Sequence, residues 1–212
     1  MVHIWLIAGY AGSGKTTAAG ILEKILSNSA TTAFAKRVKD EVATMHAITR
    51  TLLETQEGKA MQITPTKTAR DLLIEYAAAK KEETQNPAIW AEYVKEEILQ
   101  NPTVANWILH DWRYVEEYDC LTTVPGSTLH TIRIQTNKPS SSSPSEHELD
   151  NTHIQTIVWN TGSLEEFAAT LRKEVLRPHD TIKNGHKVPI FRPTGILNGH
   201  FPSRRRGNCA LI

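Results

Sequence analysis

The chain has 212 residues, enough to bury one sizeable α/β core with an inserted subdomain. Its 24 Lys and Arg residues nearly balance 23 Asp and Glu, so overall charge does not argue for nucleic acid or a strongly acidic partner. Two cysteines, Cys120 and Cys209, are too few for a disulfide scaffold and fit a reducing compartment. Because no apolar run approaches the length of a membrane span, we expect a soluble, cytoplasmic protein.

The first predicted unit is a strand that leads through a glycine-rich turn into a helix. The apolar, partly β-branched run of residues 2–8 is typical of a buried parallel strand. The helix is indicated by apolar residues that recur on one face: Ala18, Leu22, Ile25 and Leu26. The turn between them fits the pattern G-x-x-x-x-G-K-[ST] through Gly9, Gly14, Lys15 and Thr16.

This turn predicts a binding site for the phosphates of a nucleotide, and we call it the P-loop. Its glycines let backbone N–H groups converge on phosphate oxygens, and the helix N-terminus adds partial positive charge. Lys15 is expected to reach the β- and γ-phosphates, while the hydroxyl of Thr16 ligates Mg²⁺. The expected ATP-binding residues are Gly9, Ala11, Gly12, Ser13, Gly14, Lys15, Thr16 and Thr17.

Strands and helices alternate along the next part of the chain. Residues 31–35 predict the second strand, and apolar residues from Val38 to Leu52 indicate a helix. The polar stretch 54–66 predicts a loop. Two further helices are predicted, one around residues 69–77 and one that opens at Asn86-Pro87 and ends at Asn101-Pro102.

The remaining elements complete an α/β pattern. Strands are predicted at residues 104–109, 128–135 and 154–159, and a capping box of Ser163 and Glu166 starts a helix that runs through Val175. The alternation predicts three layers, a parallel sheet with helices on both faces. Ligands of such sheets bind beyond the carboxyl ends of the strands, where both the P-loop and Asp111 fall.

At this point the chain resembles the deoxynucleoside monophosphate kinases of large DNA viruses and bacteriophages, within the P-loop nucleoside monophosphate kinase group. The resemblance covers about residues 1–175. It rests on ordered motifs: GYAGSGKTT, FAKRVK, RDLLIEYAAAKK before PAIW, HDWRYVEE, and SEHELDN before TIVWNTGSLEEF. It implies a kinase domain over residues 1–176, with an acceptor-binding helical region at about 36–100, a lid at about 134–151 and a tail at 177–212. The implied reaction is ATP- and Mg²⁺-dependent phosphorylation of a (deoxy)nucleoside monophosphate to the diphosphate.

Such a reaction brings two polyanions together, so cations from several elements must converge. We expect Lys15, Asp111 and Arg113 to be catalytic. Lys39, Arg70 and Arg113 are expected to hold the phosphate of the acceptor, since guanidinium forks suit bidentate phosphate contact. Asp111 has three possible roles: it orders Mg²⁺ through water, it fixes Arg113, or it only caps the following turn.

Other side chains have simpler expectations. Glu117 is predicted to form a surface pair with Arg113, four residues earlier. Trp90 and Trp107 are expected in the core, whereas Trp112 belongs either to the core or to a base pocket. The histidines and cysteines lack metal-ligand spacing, so no zinc site is expected.

Residues 138–151 form a serine-proline run between two predicted strands. We predict a mobile lid that closes over ATP, with a plain solvated linker as the alternative. Arg133 and Lys138 are the expected cations of this lid. At the end of the chain, residues 209–212 match the C-a-a-X prenylation pattern, but Ile is not a usual final residue and we expect an unmodified tail.

The expected partners are small molecules, ATP and a nucleoside monophosphate, with no nucleic acid and no membrane; a homodimer is left open. Three alternatives share the P-loop. One is a kinase that acts on a non-nucleotide phosphate or on a modified base in DNA. The others are a GTPase, although no Asn-Lys-x-Asp guanine reader is present in the sequence, and a catalytically silent nucleotide-binding protein.

Overall fold

The computed structural model describes residues 1–137 and 144–176, so Lys138, residues 139–143 and the tail with Cys209 lie outside it. Seven strands lie within the described ranges: β1 (Val2–Ala8), β2 (Ser29–Thr32), β3 (Gln62–Thr64), β4 (Lys67–Thr68), β5 (Asn106–Leu109), β6 (Ser127–Gln135) and β7 (Thr156–Trp159). The same ranges contain seven α-helices: α1 (Lys15–Ile25), α2 (Ala35–Met45), α3 (Gln56–Ala60), α4 (Ala69–Glu83), α5 (Ile89–Gln100), α6 (Val115–Leu121) and α7 (Leu164–Val175).

Five of the strands form one parallel sheet in the order β2-β5-β1-β6-β7, and β3 and β4 form a separate antiparallel hairpin. β1 pairs with β6 along its whole length, from Val2 opposite Ser127 to Ala8 opposite Arg133. From β1 the chain first adds β2 and β5 on one side and then β6 and β7 on the other. This reversal places a topological switch point at the carboxyl end of β1, where ligands of such sheets bind.

The sheet is covered by helices on both faces, which confirms the predicted three-layer α/β fold. Alternate residues of β1 point to opposite faces, as strand geometry requires. Ile4 and Leu6 pack with α5 and α6, whereas Trp5 and Ile7 pack with α1 and α7. A third apolar cluster joins α2 and α4 to Trp90 of α5 and forms the core of the helical part beside the sheet.

Several predicted boundaries are wrong in the region between β2 and α4. The second strand covers residues 29–32 instead of 31–35. The helix predicted through Leu52 ends at Met45, because the chain turns at Ala47, whose φ of 52° is left-handed. A short 3₁₀ turn, Arg50–Leu53, contains Leu52, whereas Ile48 lies between this turn and the end of α2.

The stretch predicted as a polar loop contains ordered elements instead. Thr55 caps α3, since its hydroxyl accepts a hydrogen bond from the Gly58 N–H, and the hairpin of β3 and β4 follows. The capping box of α7 is confirmed: the Ser163 hydroxyl accepts from the Glu166 N–H, and the Glu166 carboxylate accepts from the Ser163 N–H. α6 was not anticipated from the sequence.

β7 is an edge strand of the sheet with an uneven distribution of apolar residues. Val158 is fully buried against α1 and α7, whereas Ile157 and Trp159 are 51% and 55% exposed. None of the helices in the described ranges is both long and apolar enough to cross a membrane.

Candidate functional site

The P-loop adopts a backbone that only glycine accommodates at two of its positions. Gly9 has a φ of 144°, and a Cβ atom there would lie 2.5 Å from the carbonyl oxygen of Ile134. Gly14 has a φ of 102°, and a Cβ atom there would lie 2.5 Å from the amide nitrogen of Asn160. That Asn160 amide donates to the Ser13 carbonyl at 2.9 Å and so braces the loop from the end of β7. The glycines therefore keep the backbone exposed to a ligand while neighbouring strands hold it in place.

The first turn of α1 is open to an anion. Within the described residues no side chain caps this helix and its first turn contains no acidic residue, so the partial positive charge of its N-terminus is not neutralised there. Thr16 and Thr17 are exposed on this turn. An exposed hydroxyl beside a phosphate site fits a Mg²⁺ ion that takes its other ligands from phosphates and water.

Lys15 lies in a partly buried position at the base of the P-loop. Its ammonium group donates to the carbonyl oxygens of Gly9 at 2.6 Å and Tyr10 at 2.8 Å. Burial, together with the nearby positive charge of Arg113, lowers the pKa of Lys15 to about 8, while the charges of Glu146 and Asp111 oppose this shift. The charges of Lys15, Asp111 and Arg113 are therefore close enough to interact, and we call the region around them the cleft.

Asp111 follows β5 and joins two elements of the cleft. Its two carboxylate oxygens accept hydrogen bonds from the N–H groups of Phe34 and Ala35, each at 2.9 Å. Asp111 thus caps the N-terminus of α2, a helix distant in sequence, rather than the turn that follows β5. The contact fixes α2 relative to the carboxyl edge of the sheet.

Arg113 is held through its backbone by a buried carboxyl group. Glu117, only 6% exposed, accepts hydrogen bonds from the N–H groups of Arg113 at 2.9 Å and Tyr114 at 3.1 Å. The predicted surface pair between the two side chains is therefore wrong. Burial, together with the charge of Asp111, raises the pKa of Glu117 to about 8, while the two backbone hydrogen bonds oppose the shift.

The other predicted acceptor residues lie in the helical part. Lys39 of α2 pairs with Glu54 at 2.6 Å, and Arg70 of α4 donates to the Gln56 side chain at 2.6 Å. Both affect Lys59 of α3, which sequence analysis missed because it lies in the stretch predicted as a loop. Burial lowers the pKa of Lys59, and the positive charges of Lys39, Arg70 and Arg113 lower it further. These side chains therefore lie close enough for their charges to interact.

The segment of residues 145–150 rests against the P-loop. Glu146 accepts from the Ala11 N–H at 2.8 Å and lies 3.3 Å from the Arg113 guanidinium, and the Tyr10 hydroxyl donates to Asp150 at 2.9 Å. A cavity of about 40 Å³, large enough for only a few water molecules, lies beside this segment and is lined by Gly9, Arg113 and Glu146 among others. The sequence predicted a lid in this region but not this contact, since its partners are 135 residues apart.

Two remaining expectations concern Arg133 and the tryptophans. Arg133 belongs to β6, and its guanidinium donates to the Leu149 carbonyl, so it reaches the predicted lid region from the sheet. Ile134 and Gln135, which the predicted lid includes, are also part of β6. Trp90 and Trp107 are buried in the core as predicted. Trp112 is 1% exposed and donates to the Tyr114 carbonyl, so it is also a core residue.

Neither the models of known protein families nor the sequences of curated proteins give a match to this chain. Among solved structures, it is similar to a sugar kinase from Janibacter sp. HTCC2649, with 14% identity and a TM-score of 0.44 over 82% of this chain and 94% of that one. The Thermus thermophilus protein TT1252 shows 16% identity and a TM-score of 0.46 over 82% and 96%. Dephospho-CoA kinase from Campylobacter jejuni shows 13% and 0.42 over 81% and 95%. Similarities at this level say nothing about what this chain binds.

Proposed function

We propose that the protein is a phosphotransferase that uses ATP and Mg²⁺ to phosphorylate a (deoxy)nucleoside monophosphate to the diphosphate. In this proposal the P-loop binds the phosphates of ATP and Thr16 ligates the Mg²⁺ ion. The helical region of residues 36–100 binds the acceptor, and residues 134–151 act as a lid. The proposal includes a cytoplasmic location and small molecules as the only substrates.

The observation that supports the proposal is a group of cations beyond the P-loop whose charges interact with one another. Arg113 is close enough to Lys15 to lower its pKa, and it also lowers the pKa of Lys59. Lys39 and Arg70 lower the pKa of Lys59 as well, whereas Glu54, which pairs with Lys39 at 2.6 Å, raises it. Such a group of cations fits two phosphate groups that must be brought together despite their mutual repulsion, whereas nucleotide binding or hydrolysis alone needs only the P-loop.

The chain's own residues have separable tasks in this scheme. Lys15 and the amides of the P-loop neutralise the phosphates of the donor, as preorganised donors do in transfer reactions. Arg113, whose charge acts on both Lys15 and Lys59, supports the group in transit. Lys39, Lys59 and Arg70 hold the acceptor phosphate in line. Since the chemistry needs little more than positioning and charge, no further nucleophile or base is required.

A coupled assay with ATP, Mg²⁺ and each deoxy- and ribonucleoside monophosphate tests this function. Diphosphate formation with at least one monophosphate is expected, and Lys15→Ala should lower kcat roughly 100-fold or more while the fold is retained by circular dichroism. Turnover of GTP alone would instead indicate a GTPase. Undiminished rates in Lys15→Ala, or no transfer to any monophosphate, would refute the proposal.

A further inference from the structure

The Glu146 carboxylate occupies a position that resembles a bound anion. Its Oε2 atom accepts from the Ala11 N–H of the P-loop at 2.8 Å, and its Oε1 atom is 3.3 Å from the Arg113 guanidinium. The side chain is only 5% exposed, whereas that of Arg113 is 37% exposed. A carboxylate removed from water to this extent requires charged or hydrogen-bonding partners, and here both partners are groups suited to a phosphate.

The surrounding contacts keep Glu146 in this position. The Tyr10 hydroxyl donates to Asp150, and the His147 ring packs 5.2 Å from the Tyr10 ring. Leu149 is 4% exposed and belongs to the same apolar cluster as Trp112. Leu149 therefore anchors the segment to the core, while residues 145–147 extend from that anchor across the P-loop.

We propose that Glu146 is an internal competitor of phosphate, which binds the anion position between the P-loop and Arg113 and must leave when a polyphosphate binds. The Ala11 N–H and the Arg113 guanidinium serve one anion at a time, since two negative groups there would repel each other. The apparent affinity for phosphate is then the intrinsic affinity multiplied by the fraction of molecules in which Glu146 has left the position. This inference rests on the proposed function for the identity of the natural ligand, but its anion competition does not require a kinase.

Arg113 must exchange one anionic partner for another when the ligand binds. In the competed state Arg113 contacts Glu146, and in the ligand-bound state it contacts phosphate, so the guanidinium exchanges one anion for another without losing a charge partner. Glu148 is exposed, so it is not expected to compete with phosphate, and its substitution can be compared with that of Glu146. Glu148→Gln removes the same charge two residues away and is the matched control.

The test measures binding of inorganic tripolyphosphate, and separately of ATP, to the full chain by titration calorimetry. Glu146→Gln should bind tripolyphosphate about tenfold more tightly than the unaltered protein, as expected if the competitor holds about nine molecules in ten. Glu146→Ala should show the same direction, and Glu148→Gln should change the affinity less than about twofold, as expected for an exposed charge.

The outcomes separate this inference from the proposed function. Three results would contradict the proposal that Glu146 competes with phosphate: equal affinities in all variants, equal tightening by Glu146→Gln and Glu148→Gln, or no anion binding in any variant. Tighter tripolyphosphate binding by Glu146→Gln, without phosphoryl transfer to any monophosphate, would support the competitor and refute the kinase.

Discussion

Lys15 is the residue at which burial and charge most directly affect ligand binding. With a pKa of about 8, the Lys15 side chain is mostly neutral at about pH 9 in the free protein. Bound phosphates favour its charged form. We therefore expect the protein to take up protons when tripolyphosphate binds at about pH 9, and much less at about pH 7. Calorimetry in two buffers with different ionisation enthalpies measures the uptake. Lys15→Arg, which stays protonated, is the control, and equal uptake by this variant would contradict the assignment.

Lys59 and Arg70 give the second prediction at the scale of single residues. If these two cations hold the acceptor phosphate, Lys59→Gln and Arg70→Ala should raise the KM for the monophosphate by roughly tenfold or more, as expected for loss of a charged hydrogen bond, and the KM for ATP far less. Initial rates with each substrate varied in turn measure both constants. Lys24→Gln, on the exposed last turn of α1, is the matched control. Equal effects on both KM values would show that these residues do not distinguish the acceptor.

At the scale of elements, α6 begins at a buried carboxyl group that is sensitive to pH. A carboxyl group with a higher pKa in the folded protein contributes stability that is present below its unfolded value of 4.5 and is lost as pH rises through about 8. Gln cannot ionise, so Glu117→Gln does not lose this stability. The free energy of unfolding of the variant should therefore rise relative to that of the unaltered protein between about pH 6 and pH 9. Urea denaturation at several pH values measures this trend. Glu116→Gln, an exposed neighbour, should not show it, and parallel pH curves for all three proteins would contradict the prediction.

The elements that sequence analysis predicted well are those specified by local patterns. β1, the P-loop and α1 follow from an apolar run, required glycines and helical periodicity, and α7 follows from the Ser163 capping box. The elements it missed are short. α3 and the hairpin of β3 and β4 contain few apolar residues, and their order depends on contacts such as the Thr55 cap and packing against α4. Local periodicity cannot signal elements of this length.

For the molecule as a whole, a net charge of +1 gives no indication that the charges of Lys39, Arg70 and Arg113 all act on Lys59. Salt screens such charges strongly, because the Debye length falls from about 10 Å at 0.1 M to about 3 Å at 1 M. We expect the KM for the monophosphate to rise several-fold between 0.05 and 0.5 M KCl, and to rise less steeply in Lys59→Gln. Steady-state kinetics over this range provide the measurement. A KM independent of salt would contradict a role for these charges in acceptor binding.

The arrangement of elements in the whole molecule explains which residues of the site could be predicted from the sequence. Lys15, Asp111 and Arg113 were expected together because the carboxyl ends of parallel strands share one edge of the sheet. Lys59 was not anticipated, and Glu146 was covered only as part of the predicted lid. The position of Lys59 depends on the packing of α3 against α4, and that of Glu146 on a contact that spans most of the chain. Tertiary contacts of this kind leave no mark in spacing or periodicity.

The exposed edge strand β7 provides the protein with an intrinsic fluorescent reporter. Four of the five tryptophans, at positions 5, 90, 107 and 112, are at most 6% exposed, whereas Trp159 is 55% exposed. Trp159 directly precedes Asn160, whose side chain holds the Ser13 carbonyl of the P-loop. Its emission is therefore the red-shifted part of the spectrum and the part that acrylamide quenches, and Trp159→Phe should abolish that component. We therefore expect ligand binding at the P-loop to change the emission of this one residue in the unlabelled protein.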